Sequence, residues 1–317
     1  MEDTLKMDEF TRIATFFAPL AAAAGRGLGD DAAVLTPPVG RELVLTVDQM
    51  LEGIHFLKGD DPALIARKLL RRNLSDLAAM GAVQLGYLLT TALPVAVPDS
   101  WLARFAEGLR QDQEAFNLGL LGGDSSSART DISLTATLLG HVAPGRALPR
   151  NGARAGDKIF VTGTIGDAAL GLQARLGQLP DPTGFFTRRS LLPDPRVGLE
   201  LAGIVSAAID VSDGLIQDIG HICRESGLGA VIDAHAVPAS LQAAALGPAY
   251  LEMRLTGGDD YELVLAVPPE HQAALYKACA GLAVTEIGVF RPGAGVAVQA
   301  GGEALNLSSL GWKHFQG

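Results

Sequence analysis

The chain has 317 residues, 48% of them hydrophobic and 19% charged, with a formal charge of −10. That length predicts two cores and that balance excludes a disordered chain. The acidic excess, with no basic stripe, argues against a nucleic-acid surface, and it would repel an anionic ligand unless cations intervened.

Phe10, Ile13, Phe17 and Leu20 recur at helical spacing and predict an opening amphipathic helix. After Gly29-Asp30-Asp31, residues 32–36 and 42–47 predict two strands around the Pro37-Pro38-Val39-Gly40 turn. Asp48 follows the second strand. Asp61-Pro62 predicts a helix start, and that helix runs to about Met80. Leu69, Asn73, Asp76, Leu77 and Met80 then share one face. A carboxylate among core residues is costly unless it is paired or coordinating. Arg72 offers Asp76 an i−4 pair of small value, and Asn73 beside Asp76 favours metal ligation. Residues 80–97 form the most apolar window, but Gln84, Gly86 and Pro94 interrupt it. It reads as a buried strand with flanking turns, not as a membrane span. A second helix is predicted over residues 100–116, with Trp101, Phe105 and Leu109 inward. Residues 118–121 predict a short strand feeding Gly122-Gly123-Asp124, and residues 131–142 another strand.

The Gly/Pro/Arg-rich stretch at residues 144–152 marks a boundary between domains 1–143 and 144–317. Beyond it come a strand at 158–162, a turn at 163–166 and a helix at 167–176. Helices at 195–208 and 214–226 bracket a strand near Ile209, and strands follow at 261–267 and 283–289. Helices and strands mix without regular βαβ alternation, which predicts an α+β fold.

Aspartates recur in short Gly- or Ser-containing knots along the whole chain: Asp30 and Asp31, Asp48, Asp76, Asp124, Asp210 with Asp213 and Asp218, and Asp259 with Asp260. Gathered carboxylates need cations between them. Oxygen-rich sites favour hard ions, and Mg²⁺ is usually held by a few carboxylates plus substrate phosphates. Asp210-Val211-Ser212-Asp213-Gly214 opens a helix, where Ser212 can cap the helix or bind phosphate with about equal ease. Two carboxylates at that spot favour a metal-phosphate role. Gly122-Gly123 can turn backbone N–H groups to a phosphate oxygen, with Asp124 holding the cation.

Other chemistries are excluded. There is no P-loop and no Gly-x-Ser-x-Gly elbow, and Gly25-Arg26-Gly27-Leu28-Gly29 has the wrong spacing for a dinucleotide fingerprint. The six histidines lack zinc-ligand spacing; His55, on a loop after Asp48, is the one to watch. Cys223 and Cys279 are too few for a disulfide scaffold or a cysteine zinc site, and read as buried thiols in a reducing compartment. Residues 1–6 are acidic and lack the apolar run of a signal peptide. The expectation is a cytoplasmic protein without membrane or nucleic-acid partners.

At these residues the sequence resembles the thiamine-monophosphate kinases, of the aminoimidazole-ribonucleotide-synthetase-like superfamily. The resemblance covers nearly the whole chain. It runs through residues 27–31, Asp48 with 53–56, residues 73–82, 121–124, 145–150, 210–215, 257–262 and the terminal Gly311-Trp312-Lys313-His314-Phe315. It implies a two-domain α+β fold: an N-terminal Mg/ATP-binding domain that pairs in a homodimer, and a C-terminal α/β sandwich that closes the active-site cleft. It implies several Mg²⁺ ions held by Asp31, Thr46, Asp48, Asp76, Asp124, Asp210 and Asp213. Gly123, Asp124, Arg150 and Ser212 become contacts to ATP, and His55, Asp259 and Trp312 contacts to thiamine monophosphate. Val47 stands where a hydroxyl residue is common. Asp259 stands where glutamate is usual, one methylene shorter. The implied reaction is direct phosphoryl transfer from ATP to thiamine monophosphate, giving thiamine diphosphate without a general base or a covalent enzyme intermediate. The rivals are a selenophosphate-synthetase-like or hydrogenase-maturation-like enzyme, which depends on a reactive cysteine, and a non-catalytic divalent-metal binder.

Overall fold

The computed structural model describes residues 7–312. It divides into two compact units, one of Met1–Leu77 with Ala82–Gly145, the other of Ala78–Gly81 with Arg146–Gly317.

The first unit contains α1 (Glu9–Arg12), β1 (Glu42–Leu51), α2 (Pro62–Ala79), β2 (Val83–Pro94), α3 (Asp99–Phe116), β3 (Leu120–Ala128) and β4 (Ser133–Val142). Its four strands lie in the order β1-β4-β2-β3, with β2 and β3 parallel and the other pairs antiparallel. The alternation of β1 sets its faces. Val44, Thr46, Asp48 and Met50 turn to the covered side, while Leu43, Leu45 and Val47 stay exposed. Leu134, Ala136 and Leu138 of β4 are fully buried on the covered side. α2 and α3 are tied by a buried charge cluster in which Asp112 accepts from Arg67 Nε at 2.8 Å and from Arg71 Nε at 2.7 Å. Gly108 lets the helices touch, since a Cβ there would lie 2.2 Å from the Ala63 carbonyl oxygen.

Three predicted elements differ here. The opening helix is only α1, followed by one π turn over Ile13–Phe17 and a 3₁₀ turn over Ala18–Leu20; Phe10 is 80% exposed. Pro19 has no N–H to continue an α-helix. Residues 32–36 form no strand, because Pro37-Pro38 remove the ladder donors that would extend it. Gly122-Gly123-Asp124 is not a turn after a strand. It lies inside β3, paired with Leu88, Leu89 and Thr90 of β2. A Cβ on Gly123 would lie 1.8 Å from the Leu89 carbonyl oxygen, so glycine is there for strand contact.

The second unit contains β5 (Lys158–Thr162), α4 (Asp167–Arg175), α5 (Phe185–Leu191), β6 (Ala207–Asp210), α6 (Leu215–Ser226), β7 (Gly229–Asp233), α7 (Leu241–Ala245), α8 (Leu251–Thr256), β8 (Leu263–Val267), α9 (Gln272–Ala278), β9 (Val284–Arg291), β10 (Gly295–Ala300) and β11 (Glu303–Ala304). Its seven-stranded sheet has the order β11-β10-β7-β9-β5-β8-β6, with only β10 and β7 parallel. α6 lays Leu215, Ile216, Ile219 and Ile222 against Ile159, Val161, Ile209 and Val264 of that sheet. The predicted helix at 195–208 is absent: the chain is irregular up to β6. Gly198 and Gly203 take left-handed backbone, φ +81° and +87°, which interrupts a helix there. Among the described residues, no helix is long and apolar enough to cross a membrane.

Candidate functional site

In the first unit, Thr46 and Asp48 stand two apart on β1 and therefore share the face covered by α2. Thr46 Oγ1 donates to Asp76 Oδ2 at 2.5 Å, and Arg72 Nη2 reaches Asp48 Oδ1 at 3.5 Å. Asp76 is thus drawn toward β1, and Arg72 pairs with Asp48 on that strand. Asn73, one turn before Leu77, is fully buried. Its Nδ2 donates to the Leu69 carbonyl at 2.9 Å, while its Oδ1 has no hydrogen-bond partner. An unsatisfied buried oxygen costs free energy; Asp76, three residues further along α2, and Thr46 and Asp48 on β1 add carboxylate and hydroxyl oxygens. That donor set suits a hard cation.

Asp31, Gly123 and Asp124 come together elsewhere in this unit. They line a cavity of about 620 Å³ with Thr90, Ser125 and Thr137 on its polar side and Phe17, Leu35 and Leu88 on its apolar side. Thr46, Asp48 and Asp76 are not among its lining residues. His55 sits in the tight turn after β1. Its Nδ1 accepts from the Leu51 N–H at 3.0 Å, and its own N–H donates to the Leu51 carbonyl at 2.9 Å. An accepting Nδ1 assigns the ring proton to Nε2.

In the second unit, the strand end of β6 and the start of α6 build a third group. Asp218, one turn into α6, accepts the backbone N–H groups of Ser212, Asp213 and Gly214 at 3.0–3.1 Å. Those bonds shape the loop that carries Ser212 and Asp213. Burial first, then the neighbouring Asp210 and Asp213 carboxylates, hold Asp218 well above the usual carboxylate range. Asp213, Asp218 and His221 bring one ligand atom each within 4.8 Å of one another. Arg150 and Arg224 add positive charge near His221, which, after burial, helps depress its pKa.

The Gly257-Gly258-Asp259 loop closes over the same segment. Asp259 N–H donates to Ser212 O at 2.9 Å, and Trp312 N–H donates to Asp213 O at 2.9 Å. Gln217 Nε2 bridges Asp213 Oδ2 at 3.0 Å and Trp312 O at 2.8 Å. Asp210, Ser212, Asp213, Asp259 and Trp312, scattered over a hundred residues of sequence, are therefore neighbours here. Trp312 is exposed. The Lys313-His314-Phe315 part of the terminal motif lies outside the described residues.

Sequence reasoning missed how three residues support this group. Asp260, fully buried, turns away from the site and accepts from Gly166 N–H at 2.6 Å and Ala168 N–H at 3.1 Å, capping α4. Glu262, equally buried, binds Arg196 and Arg189 of the chain before β6. Asp218 was visible as part of the Asp210 knot, and its position four residues after Gly214 was the signal for a loop-capping role.

The fold defined by these units is that of the AIR synthase related proteins: their N-terminal domain family matches residues 29–142 and their C-terminal domain family residues 154–301. A thiamine-monophosphate kinase of Caulobacter vibrioides is 42% identical over 318 residues, spanning 96% of this chain and 90% of that protein. The crystal structure of thiamine-monophosphate kinase from Stenotrophomonas maltophilia is 37% identical, with a TM-score of 0.80 over 88% of this chain and 91% of that one. AaThiL complexed with AMPPCP and TMP is 30% identical, with a TM-score of 0.78 over 99% and 100% of the two chains. The chain belongs to the thiamine-monophosphate kinase family. The hydrogenase maturation protein HypE in complex with ATP also superposes, with a TM-score of 0.80, but at 17% identity it shares the fold alone.

Proposed function

We propose that this protein phosphorylates thiamine monophosphate with ATP to give thiamine diphosphate and ADP. The observation that carries this is the match, end to end, to a relative held with AMPPCP and TMP. A phosphate monoester has a second pKa near 6, so the acceptor is largely dianionic at neutral pH and needs no general base. The difficulty of the reaction lies in bringing two polyanions together on a chain of charge −10.

The residues fit bound Mg²⁺. Thr46, Asp48 and Asp76 offer only oxygen. Asp31 and Asp124, which line the separate cavity of the first unit, would hold another ion, and Asp210 and Asp213 one in the second unit. When bound, Mg²⁺ neutralises phosphate charge and favours in-line alignment. Gly123 and Asp124 on β3 serve the ATP phosphates. Ser212, held at the start of α6 by Asp218, offers a hydroxyl to the ATP phosphates. Arg150 supplies a cation. His55 offers an Nε2–H donor, Asp259 an anion and Trp312 an exposed ring to the thiamine moiety.

A homodimer is formed through the open face of the first unit's sheet. β1 is an edge strand, and Leu45 and Val47 on it are 62% and 61% exposed, with Val83 of β2 nearby at 51%. A long apolar edge is a template for another chain. Val47, where a hydroxyl is common in the family, adds to this face and not to the cluster on the other side of β1. The compartment is the cytoplasm, in keeping with two free buried thiols.

The cysteine-dependent rivals lose support on the same residues. Burial pushes the Cys223 thiol up to about 11 and raises Cys279 as well. Neither is a nucleophile at neutral pH. The test is incubation with ATP, Mg²⁺ and thiamine monophosphate. ADP and thiamine diphosphate should appear in equal amounts; no ADP would leave the non-catalytic metal binder.

A further inference from the structure

The loop that carries Asp259 is built in an unusual way. Asp259 has φ +72° and Tyr261 φ +53°, two of only five non-glycine residues with positive φ among those described. An L-residue pays a steric penalty there, and such conformations persist where surrounding contacts over-determine them. Those contacts are present. Asp259 N–H donates to Ser212 O at 2.9 Å, Tyr261 N–H to Val211 O at 2.8 Å, and Val211 N–H to Glu262 O at 2.8 Å. A Cβ on Gly258 would lie 2.2 Å from Ser212 O. Asp260 is anchored inward by the first turn of α4. The backbone therefore presents Asp259 beside Ser212 and Asp213, with Asp260 on the opposite side of the loop.

One side chain bridges the two strained residues. Tyr261 is buried to 2% exposure, and its hydroxyl donates to Asp259 Oδ1 at 3.0 Å. A ring fixed by burial has little freedom, so the direction of its O–H fixes the carboxylate that accepts from it. We propose that Tyr261 is a positioning residue for substrate recognition: it holds Asp259 toward the cationic thiazolium end of thiamine monophosphate. This rests on the reading of Asp259 as a substrate contact. The short reach of aspartate makes the positioning more important, because a side chain with one methylene fewer has less slack to find its partner. Tyr261 holds one carboxylate oxygen of Asp259 in place.

The experiment compares wild type, Tyr261→Phe, Asp259→Asn and the double variant in steady-state assays with ATP, Mg²⁺ and thiamine monophosphate, alongside thermal melts. Phenylalanine keeps the ring and removes only the donor. Tyr261→Phe is expected to raise KM for thiamine monophosphate about threefold to tenfold, the worth of one hydrogen bond, with KM for ATP unchanged and the melting temperature lowered by no more than a few degrees. In the Asp259→Asn background the same substitution should add less than twofold, because coupled residues are non-additive. An unchanged KM for thiamine monophosphate in Tyr261→Phe would overturn the proposal, as would equal rises in both KM values or full additivity. A wild-type protein that releases no ADP would instead overturn the kinase reading itself.

Discussion

Asp76 carries the largest consequence of any single residue in this account. Thr46 donates to its carboxylate, and Asp48 lies two residues from Thr46 on the same face of β1. Asp76→Asn keeps an oxygen that can accept from Thr46, so the fold should survive. It removes a unit of charge from an oxygen cluster suited to Mg²⁺. The expected result is a loss of turnover of about two orders of magnitude or more, with an unchanged circular-dichroism melt; full activity would remove Asp76 from the metal site. Asp260 makes a different prediction at the same scale. Burial pushes its pKa up to about 8 from an ordinary 3.8, against the pull of two backbone N–H groups. The folded chain therefore keeps a proton that the unfolded chain releases. Stability from this group is complete below pH 4 and is lost as pH rises toward 8. The melting temperature should fall between pH 5 and pH 8, and Asp260→Asn, which cannot ionise, should flatten that slope. An equal slope in the variant would contradict the assignment.

At the scale of elements, β3 shows how packing overrides local signals. Gly122-Gly123-Asp124 has the composition of a turn, yet it pairs with β2 along its length. The signal is cross-strand: Gly123 is required by the Leu89 carbonyl, which no local pattern contains. Gly123→Ala should destabilise the protein by about 1–3 kcal/mol, read as a lower urea midpoint with an unchanged m-value. A neutral effect would mean that β2 and β3 can move apart. The long α2, the alternating β4 and the amphipathic α6 were legible because each repeats one period over many residues. The short α7, α8 and α9 and the edge strand β11 were not, since a few residues cannot establish a period. Asp76 was legible as a polar residue on an apolar face. Asp259 was visible within a Gly-Gly-Asp-Asp knot, but its role and that of Thr46 entered through the family resemblance. Their neighbours, Asp76 for Thr46 and Tyr261 with Ser212 for Asp259, depend on tertiary contacts.

For the whole molecule, the acidic balance and the exposed sheet face frame the predictions. Each unit carries its own core and its own oxygen-rich group. The open face of the first unit should bury Leu45 and Val47 against a second copy. Leu45→Lys placed there should shift light-scattering mass from dimer to monomer; a variant that remains dimeric would move the interface elsewhere. The chemistry proposed for the whole molecule is direct transfer between two bound phosphates, with no nucleophile supplied by the chain. Its most direct test is a single turnover with ATP labelled in the γ-phosphate, quenched at millisecond intervals with thiamine monophosphate present. The label should pass straight into thiamine diphosphate with none retained by protein, whereas labelled protein that forms and decays at the rate of turnover would contradict the account.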